Sequence, residues 1–225
     1  MDMFGTLVTF ESRGRSWRAV LANHGIALDD RIAARYVSQA ADGLDHTAHS
    51  RTRETYTEWE KDRIAQMIRA HSVHGDIGTL VDEVHSEWST WKMRPYPEVA
   101  SVLAKLRQRG IATVVCTNWT WDAEKALAQA GLLELVDGVV VSARVGARKP
   151  HPRMFDTALA TSGTAADATV FVGDDWTADV LGSLTAGMRA LHIDRQRTAP
   201  EPLHRQARRS SDLWCLPTLI DELPW

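Results

Sequence analysis

Several features that mark other classes of protein are scarce or absent in this chain. Its 225 residues include two cysteines, Cys116 and Cys215, which are too few for a disulfide framework and not spaced as metal ligands. Both are therefore expected to be buried thiols. No apolar run approaches the roughly 20 residues of a membrane span, and the N-terminus lacks the charged and apolar regions of a signal peptide. These absences predict a cytoplasmic protein with no membrane partner.

An excess of basic charge is also lacking. The chain has 26 basic and 29 acidic side chains and a formal net charge of −3. Only Arg205, Arg208 and Arg209 cluster, and a solvated face explains them. Because binding to a phosphate backbone needs a basic surface, no nucleic-acid partner is predicted. The 44% of hydrophobic and 24% of charged residues are typical of a globular chain, and they exclude fibres and disordered tails.

The chain from Pro97 onward alternates between amphipathic stretches and short β-branched runs. This pattern is typical of βαβ units in a parallel sheet. The predicted strands are 111–116, 138–141, 169–172 and 190–193, and the predicted helices are 99–110, 122–130, 153–162, 179–186 and 216–223. Residues 195–212, rich in Arg, Pro and Ser, are expected to form an exposed loop.

Residues 13–91 have a different pattern, because their apolar residues recur only at helical spacing. The stripe Leu80, Val84, Trp88 and Trp91 is an example. We therefore predict an α/β protein with a Rossmann-like parallel-sheet core formed by residues 1–12 and 92–225. A helical module of residues 13–91 is inserted into this core near its start.

Polar residues follow each predicted strand. Ligands bind outside the carboxyl ends of parallel strands, so these residues are expected to meet in one crevice. They are Asp2, Gly5 and Thr6 near the N-terminus, Thr117 and Asn118, Lys149, and finally Asp174 and Asp179.

Three of these residues predict a metal site. The carboxylates of Asp2, Asp174 and Asp179 repel one another in a shared crevice unless a cation lies between them. Oxygen ligands with open positions for water suit Mg²⁺. The sequence therefore predicts a Mg²⁺ cofactor.

The remaining residues predict a site for an anion. The Thr117 hydroxyl, the backbone amides around Gly5 and Asn118, and the Lys149 ammonium are expected to face one anionic group. Together with the metal they indicate a phosphoryl-transfer site. Asp2 is the expected nucleophile, because carboxylates form acyl-phosphate intermediates that water then cleaves.

The order of these motifs resembles that of the haloacid dehalogenase-like hydrolase superfamily. The motifs are Asp-x-x-Gly-Thr-Leu, a strand followed by Thr-Asn, Lys-Pro, and Val-Gly-Asp-Asp-x-x-x-Asp, and together they span nearly the whole chain. The helical insertion resembles the cap of that superfamily, a lid that selects the substrate. The resemblance implies that Asp2 is the nucleophile and a metal ligand, Thr6 supports the first loop, Thr117 binds phosphate, Lys149 neutralises it, and Asp174 and Asp179 serve the metal.

One departure from the family concerns proton transfer. Family phosphatases usually carry a second aspartate two residues after the nucleophile, and here that position is Phe4. Acid–base help contributes about 10²–10⁴-fold, so Phe4 predicts a slow phosphatase or a leaving group that needs no proton. The favoured substrate is a small phosphorylated metabolite, either a phosphate ester or an acyl phosphate. The alternatives are dehalogenation of a haloacid, because family dehalogenases also have an aromatic residue here but lack the acidic pair, and a non-catalytic binding or scaffold protein.

A second departure concerns the first strand. The family nucleophile ends an apolar strand of about five residues, whereas only Met1 precedes Asp2. Either the true start lies upstream of Met1, or the strand is truncated. A central parallel strand is buried on both faces, so its loss is expected to lower stability.

Aromatic residues and histidines provide two further hypotheses. Trp119, Trp121 and Trp176 either line the mouth of the crevice or pack between a helix and the cap. A histidine of the helical module is a candidate to transfer the proton that Phe4 cannot. The histidines in question are His24, His46, His49, His71, His74 and His85.

Overall fold

Parallel strands form the centre of the computed structural model, which describes residues 1–36, 38–196 and 204–222. The strands are β1 (Val8–Arg13), β2 (Trp91–Pro95), β3 (Val114–Thr117), β4 (Gly138–Val141), β5 (Val170–Gly173), β6 (Arg189–Ile193) and β7 (Ala207–Ser210). The helices are α1 (Trp17–Asn23), α2 (Asp30–Ala33), α3 (Arg53–Ala70), α4 (Gly78–Trp88), α5 (Val99–Gln108), α6 (Ala123–Gln129), α7 (Ser142–Val145), α8 (Pro152–Ser162), α9 (Gly182–Thr185) and α10 (Leu216–Asp221).

The main chain of Met1 and Asp2 lies between two parallel sheets. One sheet pairs β3 with β4, and the other has the order β5-β6-β7. The Met1 amine donates to the Val114 carbonyl oxygen at 2.7 Å, and the Cys116 N–H donates to the Met1 carbonyl oxygen at 2.7 Å. On the other side, the Asp2 N–H donates to the Val172 carbonyl oxygen at 2.7 Å. The parallel α/β core is thus confirmed, and Asp2 lies between the carboxyl ends of β3 and β5.

The helices of the core pack against the parallel strands through their apolar faces. On α5, Val99, Val102, Leu103 and Leu106 are fully buried in the main core. Each such side chain contributes about 1.5–3 kcal/mol of transfer free energy. Gly110 follows the helix at φ +69°, a left-handed conformation in which glycine is favoured. These elements hold the strand ends, and therefore the polar residues that follow them, in fixed positions.

The structure corrects two predicted boundaries in the core. β3 begins at Val114 rather than at residue 111, because its partner β4 begins only at Gly138. The helix predicted to begin at residue 179 instead starts with a π-wound turn, Trp176–Leu181, which continues into α9. The Asp175 carboxylate caps this turn by accepting from the N–H groups of Thr177 and Ala178.

The predicted loop 195–212 contains a strand. β7 pairs in parallel with β6, and the first residue of β7, Ala207, is buried. The sequence of β7 is rich in Arg, and only one of its residues is fully buried. It therefore lacks the apolar pattern that predicts a strand. Residues 197–203 of the predicted loop and the predicted helix end at residue 223 lie outside the described residues.

An antiparallel ribbon leads from the core into the helical region, which we define as residues 14–90. β1 pairs with β2, with a register shift between Phe10 and Ser12, and the sequence patterns did not predict this pairing. Among the described residues of the helical region there is no strand. α1, α3 and α4 contribute to a separate apolar core formed by Val20, Leu21, Ile64, Met67, Ile68, Ile77, Leu80, Val81 and Val84. No helix in the described ranges has the length and apolar character to cross a membrane.

Candidate active site

The loop after Asp2 carries the first group of candidate residues. Gly5 has φ +83°, and a Cβ added there would lie 2.2 Å from Asp174 Oδ2, so only glycine fits. The Thr6 hydroxyl donates to Asp174 Oδ1 at 3.1 Å. The loop therefore turns directly against the Asp174 carboxylate, and Thr6 positions that carboxylate from within the fold.

The three predicted metal ligands lie together. One carboxylate oxygen from each of Asp2, Asp174 and Asp179 lies within 4.8 Å of the others. Asp179 approaches the end of β5 so closely that a Cβ at Gly173 would lie 2.3 Å from its Oδ2. Asp2 and Asp179 are buried, whereas Asp174 is exposed as a whole residue although its carboxylate lies against Gly5 and Thr6.

Lys149 bridges two of these carboxylates. Its Nζ lies 2.7 Å from Asp2 Oδ1 and 2.5 Å from Asp179 Oδ1. Lys149 is 1% exposed, so both ion pairs are shielded from water. With Asp2, Asp174 and Asp179 it forms what we call the carboxylate–lysine cluster.

The cluster has more negative than positive charge, and the pKa values reflect this imbalance. Burial and then the charges of Asp2 and Asp179 raise the pKa of the Asp174 carboxyl to about 7. Burial raises the pKa of Asp179 to about 6, against the lowering effect of Lys149. Burial acts to lower the pKa of Lys149, but Asp179 and Asp2 outweigh burial and raise it. One lysine thus leaves uncompensated acidic charge.

Thr117 and Asn118 lie at the carboxyl end of β3, as predicted, but the two side chains have different surroundings. Thr117 is 1% exposed at the end of the strand. The Asn118 side chain is already engaged: Lys149 N–H donates to its Oδ1 at 2.7 Å, and its Nδ2 donates to the Lys149 carbonyl oxygen and to Asp42 Oδ1, both at 3.0 Å. The Asn118 amide side chain therefore braces Lys149.

Phe4 belongs to a row of aromatic rings. Its centroid lies 4.6 Å from that of Phe10 and 5.9 Å from that of Trp119, which it stacks on. Trp119 in turn meets the edge of Trp91, and its buried Nε1 has no hydrogen-bond partner among the described residues. Phe4 thus brings an apolar surface, with no proton to transfer, to the residues beside Asp2.

The other aromatic residues and three of the histidines have side-chain contacts outside the carboxylate–lysine cluster. Trp121 packs against Tyr56 of α3, and Trp176 packs against His192. Side-chain hydrogen bonds of three of the six histidines stay within the helical region: His24 contacts Glu83, His46 contacts Ser50, and His71 contacts Met67 and Asp29.

Two residues that the sequence patterns missed contact the site loops. Arg195 donates to the carbonyl oxygens of Gly5 at 3.1 Å and Thr6 at 2.6 Å, and it pairs with buried Glu98 at 2.9 Å. Asp42, from the helical region, contacts Asn118 and Arg148. Neither residue stands in a motif, and contacts between residues 76 to 190 positions apart have no local signal in a single sequence.

A parallel α/β core with a carboxylate–lysine cluster at its strand ends is typical of Rossmann-like hydrolases. The model of the haloacid dehalogenase-like hydrolase family matches residues 1–187. The chain belongs to this family, which confirms the resemblance of its motifs.

A curated relative and two solved structures are similar to the chain. The phosphoserine phosphatase of Thermus thermophilus is 38% identical over 119 residues, 52% of this chain and 48% of that protein. The chain thus spans about half the length of this relative. A HAD phosphatase from Thermococcus onnurineus has a TM-score of 0.64 at 20% identity, covering 97% and 95% of the two chains. An L-2-haloacid dehalogenase from Xanthobacter autotrophicus has a TM-score of 0.62 at 19% identity, covering 98% and 96%. The two solved structures share the fold alone.

Proposed function

We propose that the protein is a Mg²⁺-dependent hydrolase of a small phosphorylated metabolite and that Asp2 is its nucleophile. The observation that carries this proposal is the position of Asp2 at the strand ends, 2.7 Å from the Lys149 ammonium and within 4.8 Å of two further carboxylates. The similarity to a phosphoserine phosphatase supports phosphate chemistry over carbon–halogen cleavage.

The cluster fits a hard divalent cation. Three carboxylates offer oxygen ligands, and the raised pKa values of Asp174 and Asp179 indicate negative charge that one lysine does not neutralise. Asp2, Asp174 and Asp179 are the residues that would hold Mg²⁺. When bound, the ion supplies a positive charge that offsets the repulsion between Asp2 and an incoming phosphate.

The chain's own residues account for the rest of the reaction. An Asp2 carboxylate oxygen attacks phosphorus, the bond to the leaving oxygen breaks, and the phosphoryl group is transferred to Asp2. Lys149 and the Thr117 hydroxyl stabilise the negative charge on the phosphoryl oxygens. Water then cleaves the aspartyl phosphate, which releases phosphate and restores the Asp2 carboxylate.

Phe4 narrows the substrates that suit this site. An alkoxide leaving group needs a proton, and the apolar cluster of Phe4, Phe10 and Trp119 has none to give. A carboxylate leaves without protonation, so acyl phosphates fit best. The helical region is the proposed cap, which closes over the cluster and selects among substrates. A cytoplasmic location, with no nucleic-acid or membrane partner, belongs to the same proposal.

The test measures phosphate release from acetyl phosphate and para-nitrophenyl phosphate, and chloride release from 2-chloropropionate. Each substrate is assayed with Mg²⁺ or with a chelator. Replacing Asp2 by Asn (Asp2→Asn) removes the nucleophile, and we expect phosphate release to fall by about 10⁴-fold or more. Asp175→Asn is the matched control, because the Asp175 side chain caps the helix instead of joining the cluster. We expect its rate to stay within about threefold of the wild type.

The two alternative functions are separate outcomes of this test. Chelator-resistant chloride release that depends on Asp2 would establish the dehalogenase instead. Binding of Mg²⁺ without turnover of any substrate would favour the non-catalytic binding or scaffold protein.

A further inference from the structure

A short segment of the helical region pairs with the loop that carries Lys149. The His46 N–H donates to the Gly146 carbonyl oxygen at 2.7 Å, and the Arg148 N–H donates to the Leu44 carbonyl oxygen at 3.1 Å. The Gly43 N–H reaches the carbonyl oxygens of Arg148 and Lys149, each at 3.2 Å. Residues 42–46, between α2 and α3, are therefore held against residues 146–149 by main-chain hydrogen bonds. We call this contact the junction.

The Asp42 side chain adds a charged contact at the junction. Its Oδ1 accepts from Arg148 Nη2 at 3.0 Å, from Arg148 Nε at 3.2 Å and from Asn118 Nδ2 at 3.0 Å. The Arg148 side chain is 8% exposed and that of Asp42 is 21% exposed. Charge-assisted hydrogen bonds in such a shielded place are stronger and more sensitive to geometry than surface pairs.

Asn118 carries this contact on to Lys149. The Asn118 amide accepts from the Lys149 N–H at 2.7 Å and donates to the Lys149 carbonyl oxygen at 3.0 Å, so it holds both sides of that peptide unit. Lys149 Nζ in turn contacts Asp2. Asp42 and Lys149 are thus connected through one intervening side chain, that of Asn118.

We propose that Asp42 is a positioning residue, which fixes Lys149 opposite Asp2 through Asn118 and Arg148 and thereby links the helical region to the chemistry. This proposal rests on the proposed function, since it assigns Asp42 a role in the same reaction. Displacing a catalytic group by about 1 Å can cost about 10²-fold in rate. Loss of a residue that orients a group at the reacting centre is therefore expected to lower kcat and to affect substrate binding less.

The junction offers a matched control. Asp45 is three residues further along, and its Oδ2 pairs with Arg153 at 2.8 Å. That pair is exposed, at 49% for Asp45 and 39% for Arg153, and Asp45 has no contact with Asn118 or Lys149 among the described hydrogen bonds. Asp45→Asn removes a junction carboxylate without disturbing the path to Lys149.

The experiment compares kcat and KM for acetyl phosphate in the wild type, Asp42→Ala, Asp42→Asn and Asp45→Asn. We expect Asp42→Ala to lower kcat by about 10–100-fold while KM changes by less than about threefold. Asp42→Asn keeps an oxygen acceptor, so it should recover part of the loss. Asp45→Asn should stay within about twofold of the wild type.

Hydrogen–deuterium exchange gives a readout that does not depend on activity. Because Asn118 loses its hydrogen bond to Asp42, the amides of residues 146–149 should exchange faster in Asp42→Ala than in Asp45→Asn. Unchanged kcat in Asp42→Ala would overturn the proposal, as would a rise in KM alone, which indicates direct contact with substrate. If the wild type hydrolyses no phosphate, the proposed function fails, and equal exchange in the two variants would then overturn the positioning role separately. If Asp42→Ala does not fold, Asp42→Asn is judged by the same criteria.

Discussion

The ion pairs of Lys149 in the sheet core and the Lys61–Asp82 pair in the helical region differ in their exposure to water. In the core, Lys149 and its partners Asp2 and Asp179 are 2%, 9% and 2% exposed at their side chains. In the helical region, the pair Lys61–Asp82 is 39% and 65% exposed. A buried ion pair is a weak source of stability and leaves an uncompensated charge when broken, whereas an exposed pair contributes about 0–1 kcal/mol. The buried charges around Lys149 are therefore retained for a reason other than stability.

The largest test of this comparison replaces a lysine in each region by methionine, which has a similar length but no charge. Lys149→Met leaves Asp2 and Asp179 buried without their cation, and we expect it to lower the free energy of unfolding by about 3–5 kcal/mol. It should also abolish phosphate release. Lys61→Met should change the free energy of unfolding by less than about 1 kcal/mol. Urea unfolding of both variants measures the difference, and equal losses would remove the distinction between the two regions.

A second test, of intermediate size, concerns the core alone. A groove of about 310 Å³ begins at Met1 between β3 and β5 and is lined from both faces of the sheet. Its apolar lining includes Leu106, Val114, Leu159, Val170, Met188 and Leu216.

Adding four apolar β-branched residues ahead of Met1 should fill this groove. The buried side chains outweigh the cost of ordering the added residues by about 1–3 kcal/mol, which corresponds to a rise in Tm of about 2–12 °C. The measurement is thermal unfolding, with a Gly/Ser extension of the same length as the control. No difference between the two extensions would mean that the groove does not accept a strand.

The smallest test uses pH, because the two regions should respond in opposite directions. In the helical region, burial and then Arg148 lower the pKa of His46 to about 4, and within the described part of the chain its buried Nε2 has no hydrogen-bond partner. The unfolded chain binds a proton at His46 below about 6.5, so the stability due to this residue is lost as the pH falls from about 6.5 through 4. In the metal-free core, the raised pKa values of Asp174 and Asp179 mean that stability is lost as the pH rises from about 4 through 7.

Unfolding measured between pH 4 and pH 8 separates these two effects. In His46→Asn the loss of stability on acidification should be smaller than in the wild type. Added Mg²⁺ should remove the loss on the alkaline side, since it compensates the carboxylates. An unchanged acid limb in His46→Asn would show that His46 is not the group responsible.

Much of the core was predictable from local patterns. The strand 138–141 and the helix 153–162 match β4 and α8 within one residue, since their apolar runs are bounded by Gly and Pro. The boundaries of β3 were not predictable, because they depend on where β4 and Met1 offer partners. β7 and the β1–β2 ribbon were missed for a related reason: their charged residues have no apolar alternation to reveal them.

The candidate site likewise has a part that local patterns predict and a part that they do not. The residues at positions 2, 117, 149, 174 and 179 each belong to a short local motif. Since the carboxyl ends of parallel strands converge, these motifs were enough to predict that Asp2, Lys149, Asp174 and Asp179 meet. The sequence alone therefore determined the family, the α/β class and the identity of the acidic cluster.

Only the tertiary structure decided what surrounds that cluster. Arg195 lies about 190 residues from the loop it holds, Asp42 lies 106 residues from Arg148, and Asn118 is 31 residues from the lysine it braces. Such contacts depend on the packing of separate elements, and no periodicity or spacing in the chain records them. The physical reason is that motifs specify which groups are present, whereas hydrogen-bond geometry between distant segments specifies where each group is held.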